Sequence, residues 1–174
     1  PPPLIIPPPP PPLPPRHSTR RQRQMCIRDR LALLAFSLSC FGSDKHDASA
    51  FFLRYIELSD NFDIEVAELY SDKARIHTYR VYPHSLERAM ELSGVQWKQL
   101  LTRVMPMAKA QNDKSSFVNI SVSKQGDGYK IKADRYSELK CYTDRGYYMV
   151  LEPSMTGKLL IVEEYMETQP QTNC

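Results

Sequence analysis

Two charged side chains fall where strands should carry apolar ones. In the stretch 129–139 the apolar alternation runs Ile131, Ala133, Arg135, Ser137, Leu139, and in 159–167 it runs Leu160, Val162, Glu164, Met166. Alternate residues of a strand share a face, so Arg135 and Glu164 are both expected to point inward. A single intervening strand leaves them roughly 10 Å apart, a gap that long side chains bridge. A carboxylate held in an apolar pocket can act as a general base, with a tyrosine opposite to stabilise an oxyanion, and an arginine can grip a carboxylate or carbonyl. Glu164, Tyr55 and His77 are the candidate catalytic residues on this reading. Arg135, Glu164, Trp97, Leu101 and Tyr55 are the candidate ligand contacts. The competing reading is a structural Arg135–Glu164 ion pair near the rim. An arginine partner would also lower the pKa of the glutamate, which makes it a poorer base near neutral pH.

His77 shares a strand phase with Arg75, Tyr79 and Val81. A His-Asp dyad would need Asp134, but Asp134 alternates with Lys130 and Lys132 on what reads as the solvent phase. Trp97, Leu100, Leu101 and Val104 form a helical stripe that serves as core and, in a concave fold, can line a ligand as well. No cluster of His, Cys, Asp or Glu has zinc-ligand spacing, and no glycine-rich phosphate loop is present, so no cofactor and no metal are expected. Asn119-Ile120-Ser121 has the form of a glycosylation acceptor but falls within a strand, and reads as chance.

The first 30 residues need separate treatment. Met25-Cys26-Ile27-Arg28-Asp29-Arg30 back-translates to a sequence resembling the mosaic-end adapter of transposase-based sequencing libraries. Residues 1–30 are therefore expected to be artefact; the alternative for the proline run is a polyproline ligand. The chain carries 23 Lys+Arg against 20 Asp+Glu, but residues 1–30 hold six Arg and one Asp, leaving 17 against 19. With the basic excess gone, no nucleic-acid partner is expected. Residues 31–43 read as the remnant of a secretory signal: 31–40, LALLAFSLSC, is far shorter than the roughly 20 residues of a membrane span. The expected location is periplasmic or secreted, with a lipid anchor at Cys40 as the lesser alternative. Cys141 and Cys174 then remain as an even pair, either two separate thiols or a disulfide of an exported protein. If the last strands pair antiparallel, Cys141 lies near where the tail leaves the sheet.

The periods of the remaining stretch give one domain over 44–169 with a short tail, 170–174. Asp47 is expected to cap a helix over 48–59, and Asp63 a short second helix over 64–70. Residues 74–82 alternate as a strand and 86–92 return as its partner. A third helix starts at Val95 and should kink or stop at Pro106. Then come strands over 117–123, 129–139, 142–151 and 159–167, the first two joined by Gln125-Gly126-Asp127-Gly128. Four strands in an antiparallel meander must bury one face, and the three helices are the available cover. Tyr147 and Tyr148 are adjacent, so one of them must face outward.

This order of elements resembles the nuclear transport factor 2-like family, also called SnoaL-like or cystatin-like cone folds. The resemblance rests on Phe52-Leu53-Arg54-Tyr55 through Phe62-Asp63-Ile64-Glu65, on Leu69 to Ile76, and on Tyr136 to Lys140, Tyr147 to Val150 and Leu160 to Met166, and covers about residues 46–168. It implies an α+β cone, a strongly curved antiparallel sheet wrapped round about three helices, enclosing an apolar pocket. It also implies frequent homodimers through the outer sheet face. Members include enzymes such as ketosteroid isomerase and scytalone dehydratase and many domains that only bind or assemble, so the fold alone does not decide function. The expectation is an exported, non-catalytic domain that binds a small apolar ligand or a protein partner. The alternative is an acid/base isomerase, dehydratase or cyclase acting on a small apolar carbonyl compound.

Overall fold

The computed structural model describes residues 45–82, 86–169 and 174. The proline run, the signal remnant and the anchor at Cys40 lie outside the described residues. Helix α1 occupies 45–60 and presents Ala48 and Phe52, both fully buried, with Tyr55 and Ile56 half-buried beside them. Asp47 lies inside this helix and does not cap it, because the helical turns begin earlier than the apolar pattern does. Phe62, in the left-handed region at φ 55°, ends α1. The Asp63 carboxylate then accepts the Glu65 N–H at 2.9 Å and starts a short 3-10 helix over Ile64–Leu69.

Strand β1 (Tyr70–Val81) follows directly and pairs antiparallel with β2 (Glu87–Ser93). Helix α2 (Gly94–Gln111) opens on a capping box between Ser93 and Gln96 and continues past Pro106 to a left-handed cap at Asn112. The expected stop at Pro106 does not occur. The carbonyl that loses its donor belongs to Thr102, which is exposed and can turn to water, while Met105 anchors the same turn in the core.

Strands β3 (Ser115–Gln125) and β4 (Gly128–Ser137) form the hairpin around Gly126, φ 58°. The expected strand over 142–151 is two pieces, β5 (Tyr142–Asp144) and β6 (Tyr148–Pro153). The break arises because the Asp144 side chain turns back to accept the Gly146 N–H at 2.9 Å, which bends the chain between them. Strand β7 (Leu159–Thr168) completes the sheet.

The strand order is β2-β1-β7-β6-β4-β3, with β5 paired to β4 off this path. The meander β3-β4-β6-β7 is antiparallel as expected, but β1 joins β7 in parallel. A parallel pair needs a long crossover, and α2 with β3–β6 supplies it, a pairing between distant segments that no local pattern announces. The result is a mixed α+β arrangement with a curved sheet and few helices. Its core is Phe52, Ile76, Ile131, Met149, Leu151 and Ile161, all within 1 % of full burial. Gly128 is needed where β4 meets β6, since a Cβ there would lie 1.8 Å from the Leu151 carbonyl oxygen.

Candidate functional site

Glu164 lies on β7 facing the helices and is fully buried. Its expected strand companions Leu160 and Val162 are only half-buried; the buried residue before it is Ile161. The cause is a bulge: Val150 of β6 pairs with Glu163 and its neighbour Leu151 with Ile161, so Val162 is an extra residue and the inward phase shifts by one. Both oxygens of the carboxylate are occupied. Oε1 accepts the Tyr147 hydroxyl at 2.7 Å and the Tyr55 hydroxyl at 3.2 Å, and Oε2 accepts the Tyr70 hydroxyl at 2.6 Å. The rings of Tyr55 and Tyr147 pack against Phe52 and Phe117, with centroid separations of 6.0 Å for Phe52–Tyr55 and 5.3 Å for Phe117–Tyr147.

Burial raises the pKa of Glu164 above the usual carboxylate value, and the hydroxyls of Tyr70, Tyr147 and Tyr55 together with the Arg135 charge only partly oppose it. Burial and then the Glu164 charge push all three hydroxyls upward, so they stay protonated and donate. Tyr55 was legible as a candidate; Tyr70 and Tyr147 were not. The available signal was phase, since Tyr70 alternates with the buried Ala74 and Ile76, and Tyr147 with Met149 and Leu151.

Arg135 also points inward but does not pair with Glu164. It sits where β5 replaces β6 beside β4, directly opposite Asp144 in the ladder. Its Nη2 lies 3.8 Å from Asp144 Oδ2 and donates to the Tyr142 hydroxyl at 3.4 Å and to the Glu167 carbonyl. The guanidinium also stands over the Tyr147 ring, 5.8 Å from its centroid. Asp144 is fully buried and accepts the Glu167 N–H at 2.7 Å, so this second cluster ties the end of β7 to the β4–β5 turn. Lys140 donates to the Gln169 carbonyl at 2.6 Å, and Cys141 and Cys174 are joined as a disulfide with a Cα–Cα distance of 5.3 Å.

His77 is on the other side of the sheet. It is half-buried there, with Nδ1 3.6 Å from the Glu91 carboxylate, and it cannot join Glu164 because its neighbour Ile76 holds the inward position opposite Glu164. Asp134 accepts from Asn119 at 2.7 Å, not from a histidine. Trp97 packs edge-on to Tyr70 at 6.2 Å, close enough to favour ionisation of that hydroxyl, yet its Nε1 is buried without a hydrogen bond of good geometry. Leu101 packs on the core beside it.

The clefts lie elsewhere. One of about 910 Å3 opens between α1, the 3-10 helix and the tips of the β3–β4 and β6–β7 turns; Phe51, Leu69, Tyr129 and Leu159 line it, with Arg54 and Lys158 among its charged residues. Another of about 430 Å3 lies between Phe62 and Met105. Neither is lined by Glu164 or Arg135. Among the described residues, no group of three or more His, Cys, Asp or Glu side chains could hold a metal, and no helix is long and apolar enough to cross a membrane.

No protein-family model and no curated protein matches the sequence. Solved structures do match. A nuclear transport factor 2-like protein of unknown function from Pseudomonas putida KT2440 superposes with a TM-score of 0.54 over 71% of this chain and 85% of its own, at 12% identity. This chain has the nuclear transport factor 2-like fold. A second nuclear transport factor 2-like protein, with a cystatin-like fold, from Novosphingobium aromaticivorans superposes with a TM-score of 0.50 over 81% of this chain and 86% of its own, at 13% identity. At these identities the likeness carries the architecture alone. Within the nuclear transport factor 2-like cone, Glu164 and its tyrosines occupy the space between the sheet and α1.

Proposed function

We propose that this chain is an exported, non-catalytic domain that works by association, holding a small apolar ligand or a protein partner on its outer surfaces and pairing with a second copy of itself. One observation carries the reading. The only inward glutamate among the described residues is sealed from solvent with both oxygens already accepting hydrogen bonds, so a substrate would have to displace tyrosine rings to reach it. Burying a polar network this completely stabilises one arrangement and leaves no acceptor free. The open cleft of about 910 Å3 has the size of a small-molecule site and an apolar floor under a charged rim. The Cys141–Cys174 pair supports export, because disulfides persist in oxidising compartments.

Native mass spectrometry of the protein tests this directly. A retained small molecule or a second subunit is the expected result. A bare monomer that captures neither would overturn it.

A carboxyl of raised pKa ringed by tyrosine hydroxyls also supports a second reading, acid/base catalysis on a small apolar carbonyl compound, if α1 opens. Deuterium uptake next to the carbonyl of an apolar ketone in heavy water, abolished by Glu164→Gln, would decide for the enzyme.

A further inference from the structure

Strand β3 lies at one end of the sheet, and among the described residues only β4 pairs with it. Its far edge therefore presents N–H and C=O groups that no strand takes up. Between Val118 and Ser121 the ladder slips, since those two residues pair with Asp134 and Lys132, and β3 carries one residue more than β4 across the gap. The chain kinks there. Asn119 takes a left-handed conformation at φ 54°, which asparagine tolerates better than most residues, and Val118 to Ser121 are exposed without interruption.

The kinked residues are Asn119-Ile120-Ser121, the only Asn-x-Ser or Asn-x-Thr triplet in the chain. Such a triplet, with any residue but proline in the middle, is the acceptor for an N-linked sugar and belongs on surface loops of secreted proteins. The triplet does fall within the span of β3, as alternation indicates, but the bulge gives it the backbone and the exposure of a loop. The reason for reading it as chance is gone. Asn119 Nδ2 donates to Asp134 Oδ2 at 2.7 Å. An amide nitrogen carries two hydrogens, so one can be replaced while the other keeps the Asp134 contact. Val118 and Ile120 flank the asparagine on the open edge, 57% and 46% exposed. An apolar edge strand invites pairing with another chain, and a bulky hydrated sugar beside it blocks the approach.

We propose that Asn119 is the acceptor of an N-linked glycan, donated by a lipid-linked oligosaccharide diphosphate, and that this glycan covers the open edge of β3. The new bond joins Asn119 Nδ2 to the anomeric carbon of the first sugar. The bond from that carbon to the diphosphate oxygen breaks, its electron pair leaves with the lipid diphosphate, and one Nδ2 proton passes to a base of the transferase. Nothing is oxidised or reduced. The Ser121 hydroxyl, exposed on the same bulge, is the group that completes the acceptor. The inference rests on the reading that the chain is exported, because the sugar donor and the transferase meet only chains that enter the secretory pathway.

The test is expression of the full chain in a eukaryotic secretory host, with and without an added leader, followed by intact mass and peptide mapping of the folded product. A glycan on Asn119, released by peptide N-glycanase with conversion of that asparagine to aspartate, is the expected result. Ser121→Ala keeps Asn119 and its Asp134 contact and should lose the glycan completely, whereas Ser121→Thr should retain it, with circular dichroism establishing that both fold alike. Asn112 is also left-handed and exposed but is followed by Asp113-Lys114, and it should stay bare. Enzymatic removal of the glycan from the native protein should raise light scattering as the uncovered edges associate. A folded, secreted product with a bare Asn119 overturns the inference and leaves export standing. A glycan whose removal leaves scattering unchanged overturns the covering role. If the glycan forms only behind the added leader, the acceptor site stands and the export reading falls.

Discussion

Glu163 and Glu164 are neighbours on one strand and live in opposite surroundings. Glu163 faces outward, bonded to Arg75 and to the Tyr148 hydroxyl, at 2.6 Å and 2.7 Å. Partial burial would raise its pKa, but the Tyr148 hydrogen bond and the Arg75 charge outweigh that and hold it below the usual value. Glu164 faces inward, and burial wins over its hydroxyl donors to raise its pKa. A hydroxyl donor and a cation in direct contact make the outer carboxylate easy to ionise, whereas burial makes the inner one costly despite its three hydroxyl donors and the Arg135 charge. The outer glutamate is a replaceable surface contact, and the inner one is a keystone for four separate segments.

The largest effect that would break this contrast is truncation of the keystone. Glu164→Ala leaves three buried hydroxyls without their acceptor and opens a cavity, and should cost about 4 kcal/mol in denaturant unfolding. Removing the Cys141–Cys174 cross-link by Cys141→Ser with Cys174→Ser, which leaves the acid in place, should cost about 3 to 4 kcal/mol by loss of loop closure in the unfolded chain.

Glu164→Gln sharpens the contrast through pH. With a folded pKa above the unfolded one, the native state binds more protons between those values, so stability is full below the unfolded pKa and falls as pH rises through the folded one. The unfolding midpoint of the wild type should therefore decline across that window, and that of Glu164→Gln should lose this decline. Glu163 contributes with the opposite sign below the usual carboxylate value, where its stabilisation is lost as pH falls. The smallest effect belongs to Glu163→Gln, within about 1 kcal/mol in the same unfolding assay, because its Arg75 partner is mostly in water.

Much of this contrast can be read from the amino acids alone. The inward direction of Arg135 follows from apolar alternation with Ile131 and Ala133, and the helical period gives the stripe on Trp97 and Leu101. Glu164 is inward as expected, but of its expected strand companions only Met166 shares its buried phase. The partners of Arg135 and Glu164 do not follow from the pattern. Arg135 meets Asp144 only because the chain breaks between β5 and β6, and Glu164 meets Tyr70 only because β1 joins β7 in parallel, both consequences of pairing between distant segments. The Val162 bulge hides the true phase of β7, since the half-buried Leu160 and Val162 look like core in a one-dimensional pattern. The Tyr147-Tyr148 pair resolves as one ring to each side, Tyr147 on the keystone and Tyr148 on the outer face.

The spare residue at Val162 has a further meaning. Excising it would leave Ile161 inward, Glu163 outward and Glu164 inward in unbroken alternation, so every donor and acceptor keeps its role while the kink in the strand relaxes. How sharply the layer bends is thus adjustable by one amino acid without touching the buried hydrogen bonds that Glu164 accepts.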